Sequence, residues 1–476
     1  MSKIEELRTR LSHVGQTHLL NFTERLDAAG REALLAQIGS IDIEALPALI
    51  DGYVKNKPAF VLPPDIGPAP YYPRKADAPL RPWDRAGMEK AGTELIRAGK
   101  IAAFTVAGGQ GSRLGFEGPK GCYPAGAVTD KSLFQIFAEH FVGARSRYGV
   151  RVPWYIMTSP LNHEATVGFF EQHGYFGLAK GDVSFFRQGV LPSLDIRDGR
   201  VLLAGPGEVA TNPDGHGGCV KALSVSGSLA DMRRRGIEHI SYFQVDNPLV
   251  RPLDPAFIGL HAAAPDSSGE MSSKMIPKAY PEEKVGVFCQ SAGKVEVIEY
   301  SDLPMDLQKQ RLPDGSLRFI AGSIAIHMMS VEFVERLAND PKFALPYHRA
   351  EKKIPCIDPE TGAPVNPTAN NGVKLEKFVF DALSLCRASI VYEADRTEEF
   401  GPIKNATGLD SIETSKALQT ERAARWLEAR GVRVPRKSAG TPDCVLEISP
   451  LTATCAAELP AAKLPASISP GAAMAF

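Results

Sequence analysis

An apolar run, Ile101 to Val106, breaks directly into Ala-Gly-Gly-Gln-Gly-Ser-Arg-Leu-Gly at residues 107–115, followed by Pro119-Lys120. No other feature constrains the fold as much. A short apolar run that ends in glycines suits a strand buried on both faces, and such strands belong to parallel sheets covered by helices. In open sheets of that kind, ligands bind at the carboxyl ends of the strands. Gly108, Gly109 and Gly111 carry no side chains, so their backbone N–H groups can approach a phosphate or a base closely. Arg113 and Lys120 add two cations, and together these features describe a cradle for a polyphosphate. Two glycines alone would fit a plain turn with surface cations equally well. Four glycines with Arg113 and Pro119-Lys120 favour nucleotide binding.

Two familiar phosphate loops fit poorly. The dinucleotide fingerprint needs G-x-G-x-x-G, but after Gly109-Gln-Gly111 the next glycine, Gly115, comes one position late. The Walker loop needs Gly-Lys-Ser/Thr, whereas Lys120 follows a proline and precedes Gly121.

Beyond the loop, the chain alternates strand and helix patterns. Pro153 to Met157, Val183 to Phe186 and Ile240 to Val245 read as strands, and Ser132 to Tyr148, His163 to Gln172 and Lys221 to Arg235 as helices. That alternation predicts an α/β fold, a doubly wound mixed sheet with helices on both faces. Residues 1 to about 56 read as helices and lead into a Pro-rich connector from Pro58 to Pro82. Residues 413–430 read as a helix, followed by an Ala/Pro-rich end. The expected divisions are a helical N-terminal unit and connector over 1–94, a nucleotide-binding domain over 95–385, and a C-terminal domain over 386–476.

Charge and cysteine usage bound the partners. The 54 Lys+Arg against 55 Asp+Glu give a net charge of −1, so no global footprint for nucleic acid or anionic lipid exists. No stretch reaches the roughly 18 apolar residues of a membrane span, and the amino terminus has no apolar core behind its charges. Seven cysteines lie far apart with no CxxC, which fits reduced thiols in a cytoplasmic protein. The oligomeric state is left open.

The glycine loop with Pro119-Lys120 resembles the signature of the eukaryotic-type UDP-sugar pyrophosphorylases, which are nucleotidyltransferases of Rossmann-like fold. The resemblance continues through Trp154 to Ser159, Phe185 to Gly189, Pro213-Asp-Gly-His-Gly-Gly218, Val245-Asp-Asn247, Val297 to Ser301, Gly372 to Phe380, Phe400 to Asn405 and Glu447 to Leu451. Motifs in the right order along most of the chain are far more specific than any one of them.

The resemblance implies transfer of a uridylyl group from UTP to a sugar 1-phosphate, with release of pyrophosphate. It implies Arg113, Lys120 and Lys404 as catalytic cations. It assigns UTP to Gly108, Gly109, Gly111, Gln188 and Gly215, with the Gln188 amide matched to uracil. His216, Asn247, Ser323 and Lys374 become sugar-side candidates, and Lys377 shares the segment of Lys374. Read alone, Asp246-Asn247 before Pro248 is as well explained by an Asx turn. In the family context Asp246 is expected to hold Mg²⁺, an ion that needs only one or two protein carboxylates. Lys404 alone reads as an exposed lysine, and Lys374 and Lys377 as one solvated helical face.

The sugar side departs from the pattern. N-acetylhexosamine members commonly have Asn where this chain has His216, Asn where it has Ser323, and Glu where it has Pro277. N-acetylglucosamine 1-phosphate is the first expectation for the acceptor. A UDP-glucose or broad-specificity pyrophosphorylase is the alternative. A non-catalytic nucleotide-sugar binding protein stands further off. A nicotinamide oxidoreductase is disfavoured by the late glycine.

Overall fold

The computed structural model describes residues 2–58 and 60–476. The chain divides into two compact units that interleave along the sequence. One holds Met1–Val61, Gln188–Cys219 and Leu345–Val379, and the other holds Leu62–Arg187, Val220–Ala344 and Phe380–Phe476. The expected divisions were three consecutive stretches, whereas these units each return to the chain three times.

The larger unit is built on one ten-stranded mixed sheet. Its strands are β1 (Gly67–Pro68), β2 (Ile101–Val106), β3 (Trp154–Thr158), β4 (Val183–Arg187), β5 (His239–Gln244), β6 (Met271–Pro277), β7 (Val287–Ser291), β8 (Lys294–Ile298), β9 (Ala321–Ser330) and β10 (Val391–Glu393). The order is β1-β7-β9-β5-β2-β3-β4, with β6 paired to β9 and β10, and β8 to β7. The central four, β5, β2, β3 and β4, are mutually parallel. β9 runs antiparallel to β5 and to β6.

The local chemistry explains the elements. The helix Leu133–Tyr148 starts where the Ser132 hydroxyl accepts the Gln135 N–H, and it stops at Gly149, whose φ of 77° suits glycine. It buries Phe134, Phe137 and Phe141 against Trp154 and Phe243 of the sheet. Fully burying each such ring stabilises the fold by roughly 1.5–3 kcal/mol. The helices Arg85–Arg97 and Pro255–Ala263 cross at Gly92 and Gly259. A Cβ on Gly259 would overlap the Met88 carbonyl, and one on Gly92 would overlap that of Pro255.

Two expectations about elements are corrected. The single helix expected over residues 221–235 is two helices, Cys219–Val225 and Ser228–Arg234, broken at Gly227, whose φ is 78°. Lys374 lies in a strand, Gly372–Glu376, rather than on a helix, and Lys377 follows it. Val373 and Leu375 are buried in that strand, so its period is two rather than 3.6. The Ala/Pro-rich end folds back as a parallel pair, Val445–Glu447 with Ala473–Ala475, and packs Leu446, Leu459 and Ile468 against the helix Ile412–Ala429.

The smaller unit packs the helices Lys3–His13 and Ala28–Ser40 through Leu7, Leu11, Leu34 and Ile38 onto Leu194, Val373 and Leu375. Its largest sheet pairs His348–Lys352 with Gly372–Glu376 and Leu194–Asp195. Among the described residues, no helix is long and apolar enough to cross a membrane.

Candidate active site

The parallel core places its strands in the order 4-3-2-5, so successive connections leave β2 toward opposite sides. The carboxyl ends of β2 and β5 therefore flank a topological switch point, where open α/β sheets bind their ligands. The glycine loop leaves β2 there, and Asp246 follows β5 there.

Backbone hydrogen bonds shape the loop. Gly111 N donates to Gly118 O at 2.9 Å, and Lys120 N donates to Gly109 O at 3.0 Å. Gly115, at φ 68°, turns the chain in a region that penalises side chains, and a Cβ on Gly111 would press on the Phe116 ring at 2.7 Å. Gly109 is exposed with open space around it, and Gly108 is half-buried. Arg113 is exposed in the short 3₁₀ turn Ser112–Leu114.

Of the expected cations, Lys120 meets Asp246 and the backbone before Lys404 is tied to it, whereas Arg113 stands exposed on the loop. Lys120 Nζ lies 3.8 Å from Asp246 Oδ2, with side-chain exposures of only 17% and 15%. Ile403 N donates to Asp246 O at 2.8 Å, so the residue before Lys404 is tied to the end of β5. Lys404 Nζ lies 3.9 Å from Asp410 Oδ2. Asp410, at φ 54°, also accepts the Lys404 and Asn405 N–H groups on its carbonyl at 2.6 and 3.0 Å. Burial raises the Asp410 carboxyl above the ordinary carboxylate range against the pull of Lys404, and the Asp246 charge pushes it the same way.

Asn247 is not presented as a sugar ligand. It is buried, its Nδ2 donates to Glu399 O at 2.7 Å, and its Oδ1 accepts from Leu249 N at 3.2 Å and Gly401 N at 3.1 Å. Its work is to pin the segment that leads to Lys404. Ser323 lies half-buried in β9, where its N–H donates to Gly286 O at 2.7 Å. The β6–β9 register shifts just beyond it, and Ala325 takes a φ of 54°. Bulges of this kind re-aim side chains.

The remaining candidates belong to the smaller unit. Gln188 is buried and its Nε2 donates to Gly215 O at 2.8 Å, which fixes the amide and leaves Oε1 as the acceptor it can offer. The Asp-Gly-His-Gly-Gly turn packs backbone to backbone with residues 377–379: Lys377 N donates to Asp214 O and Gly217 N to Lys377 O, both at 2.8 Å. Only glycine fits at Gly215, Gly217 and Gly218. Burial pushes the Asp214 carboxyl up to about 6. His216 stacks on Phe378 with centroids 5.1 Å apart, and its Nδ1 accepts the Val379 N–H at 3.1 Å. That bond requires Nδ1 to be unprotonated, and burial holds the imidazole down at about 4, which agrees with a neutral ring. Lys374 is half-buried in its strand opposite Ala350, and Lys377 Nζ sits 4.5 Å over the Tyr347 ring.

Two residues escaped the sequence reading. Asp410 lies in a polar turn with nothing to separate it from an ordinary loop carboxylate. Asn162, past the end of β3, is 1% exposed; its Nδ2 donates to Ala107 O at 2.9 Å and Gly109 O at 3.2 Å.

Among the described residues, no group of three or more His, Cys, Asp or Glu side chains could enclose a metal ion. The donor set at the switch point is instead one half-buried carboxylate, Asp246, with Asp410 close enough to feel its charge. That fits Mg²⁺, which takes one or two carboxylates and fills its other positions with phosphate and water.

Comparison with known proteins places the chain in a family. The family described as UTP--glucose-1-phosphate uridylyltransferase matches residues 82–430. The human UDP-N-acetylhexosamine pyrophosphorylase-like protein 1 is 38% identical, over 95% of this chain and 93% of its own. The Saccharomyces cerevisiae UDP-N-acetylglucosamine pyrophosphorylase is 35% identical, over 88% of this chain and 90% of its own. Among solved structures, the Trypanosoma brucei uridine diphosphate N-acetylglucosamine pyrophosphorylase superposes with a TM-score of 0.81 at 27% identity, covering 100% of this chain and 98% of that one. The family match over residues 82–430, with 38% identity to the human relative over 95% of the chain, makes this protein a member of the UTP–glucose-1-phosphate uridylyltransferase family.

Proposed function

We propose that this uridylyltransferase uses N-acetylglucosamine 1-phosphate as its acceptor, forming UDP-N-acetylglucosamine and pyrophosphate. The observation that carries the chemistry is the meeting of Lys120 and Asp246 at the ends of β2 and β5, with Lys404 directly after Ile403, whose N–H is bonded to Asp246 O. The nucleophile is a phosphate oxygen whose second pKa is about 6, so it is already ionised and needs no general base. What the reaction needs is neutralisation and in-line placement of two anions. Lys120 and Lys404 are each held beside a carboxylate before substrate arrives, so they are oriented rather than free to wander. Arg113, exposed on the loop, is assigned to the phosphates. Asp246, with Asp410 nearby, would hold Mg²⁺, which supplies charge neutralisation on the phosphate oxygens.

Gln188 is assigned to uracil: with Nε2 spent on Gly215 O, its Oε1 suits the N3–H donor of that base. The acceptor assignment is supported by relatives named for N-acetylhexosamine and N-acetylglucosamine at 35–38% identity. His216, the residue that pointed toward glucose, makes protein contacts with Phe378 and Val379, so its identity weighs less on the sugar. Seven cysteines outside any disulfide suit a cytoplasmic location.

The test is pyrophosphate release from UTP and Mg²⁺ with a panel of sugar 1-phosphates, beside an Asp246→Ala control. Release with N-acetylglucosamine 1-phosphate, abolished in the control, is the expected result. Release with glucose 1-phosphate alone would transfer the assignment to that sugar. Silence across the panel from a sample that binds UTP would overturn the catalytic reading.

A further inference from the structure

We propose that Asn162 is a positioning residue for the phosphate loop and, through it, for Lys120; the proposal rests on the functional reading above. Asn162 stands four residues past the last residue of β3, the strand beside β2. Its side chain uses both ends. Oδ1 accepts the Ser159 N–H at 2.8 Å, which fixes the amide so that Nδ2 faces the loop. Nδ2 then places its two hydrogens on Ala107 O at 2.9 Å and Gly109 O at 3.2 Å. Two carbonyls at the root of the glycine loop are thereby drawn toward β3. Gly111 N donates to Gly118 O, so the loop N–H groups left to meet an anion do not include that of Gly111, one of the expected UTP contacts.

The second link reaches a cation. Gly109 O accepts from Lys120 N at 3.0 Å as well as from Asn162, so one carbonyl joins the clamp to the backbone of Lys120. Lys120 in turn lies 3.8 Å from Asp246. Gly109 is exposed, and its carbonyl is tied to both Asn162 Nδ2 and Lys120 N. These bonds hold it in place. Leu161 is 83% exposed immediately before Asn162, which is 1% exposed. The buried amide reaches past an exposed turn tip to the loop.

Two variants test this. Asn162→Ala removes the clamp. Asn162→Asp keeps the shape and the Ser159 bond but sets a carboxylate oxygen against two carbonyls. In both, kcat/KM for UTP is expected to fall about tenfold to hundredfold, the size of orphaning a buried polar group. The KM for the sugar 1-phosphate is expected to stay within about twofold. Amide exchange of Gly111 and Lys120 is expected to speed up, while that of the buried strand β5 holds. The wild type assayed in parallel separates the two readings: an inactive wild type sinks the proposed function. An active wild type whose variants melt earlier but keep its UTP dissociation constant and loop protection overturns the role given to Asn162.

Discussion

Lys274 is fully buried in β6, and replacing it with methionine is the most demanding test of how this structure holds Lys404. Lys274 Nζ donates to Asp254 Oδ2 at 2.6 Å and to Glu399 Oε1 and Oε2 at 2.8 and 2.6 Å. Both carboxylates are 5% exposed in their side chains. Burial alone would raise the Asp254 carboxyl, but Lys274 and Arg251 outweigh it and hold it at about 2. Lys274→Met keeps the apolar stem and deletes the charge, which also lies 5.4 and 5.9 Å from the Phe257 and Tyr392 ring centroids. The two buried anions then keep Arg251 as a common partner, and Glu399 keeps Arg422 as well. Removing one partner of a buried ion pair costs about 3–5 kcal/mol, a large part of a typical stability of about 5–15 kcal/mol.

The loss extends to the site. Glu399 O accepts Asn247 Nδ2, Gly401 N donates back to Asn247 Oδ1, and Ile403 N donates to Asp246 O. Freeing Glu399 loosens that ladder one residue short of Lys404, so kcat/KM is expected to fall together with stability. Urea unfolding followed by tryptophan fluorescence, with pyrophosphate release on the same preparation, measures both. Glu399→Gln should cost less in the Lys274→Met background than in the wild type, because the interaction it breaks is already gone. The pH dependence follows in sign. A carboxyl depressed in the folded state contributes stability above its unfolded pKa of about 3.9 and loses it as pH falls toward about 2. That acid-side loss should shrink in Lys274→Met, where Arg251 and the Ala256 N–H remain. A change in unfolding free energy under about 1 kcal/mol, with activity intact, would refute the reasoning.

Three further outcomes follow from the same geometry. Lys120→Met removes a cation at the phosphates and should lower kcat by about 10²–10³, the scale of a lost oxyanion donor, with a near-normal melting temperature. Gly259→Ala would drive a methyl into the Met88 carbonyl at the helix crossing and should lower stability by about 1–3 kcal/mol in thermal unfolding, with KM values unchanged in the folded fraction. Asp214, raised to about 6 by burial, binds its proton more tightly folded than unfolded, so stability falls as pH rises from about 4 to 6. Asp214→Asn should flatten that slope and unfold at higher urea than the wild type above pH 6; an unchanged slope would remove Asp214 as its source.

Much of the larger unit was legible because its signals are local. The run Ile101–Val106 and the helix His163–Gln172 fall on the expected residues, since apolar periodicity and terminal turn chemistry act within a few positions. Arg113, Lys120 and Asp246 were singled out by motifs that run in the family's order, and the structure brings the last two within 3.8 Å. Lys374 was misplaced on a helix because two lysines three apart fit a helical face, while burial of Val373 and Leu375 decides for a strand only once a neighbouring strand exists. The break at Gly227 went unseen because a glycine inside an amphipathic pattern is tolerated as often as it interrupts.

The sequence by itself determined the loop, its cations and the alternation that makes a parallel sheet. Those depend on side-chain chemistry and spacing along one stretch of chain. The tertiary structure alone decided that Asn247 is a clamp rather than a ligand, that Asn162 ties the loop to β3, that Asp410 holds Lys404, and that each compact unit is gathered from three separate stretches. An asparagine or aspartate has the same hydrogen-bonding groups in every role. Which role it plays depends on which backbone carbonyls and N–H groups the fold brings within about 3 Å of it, from strands and segments dozens to more than a hundred residues away.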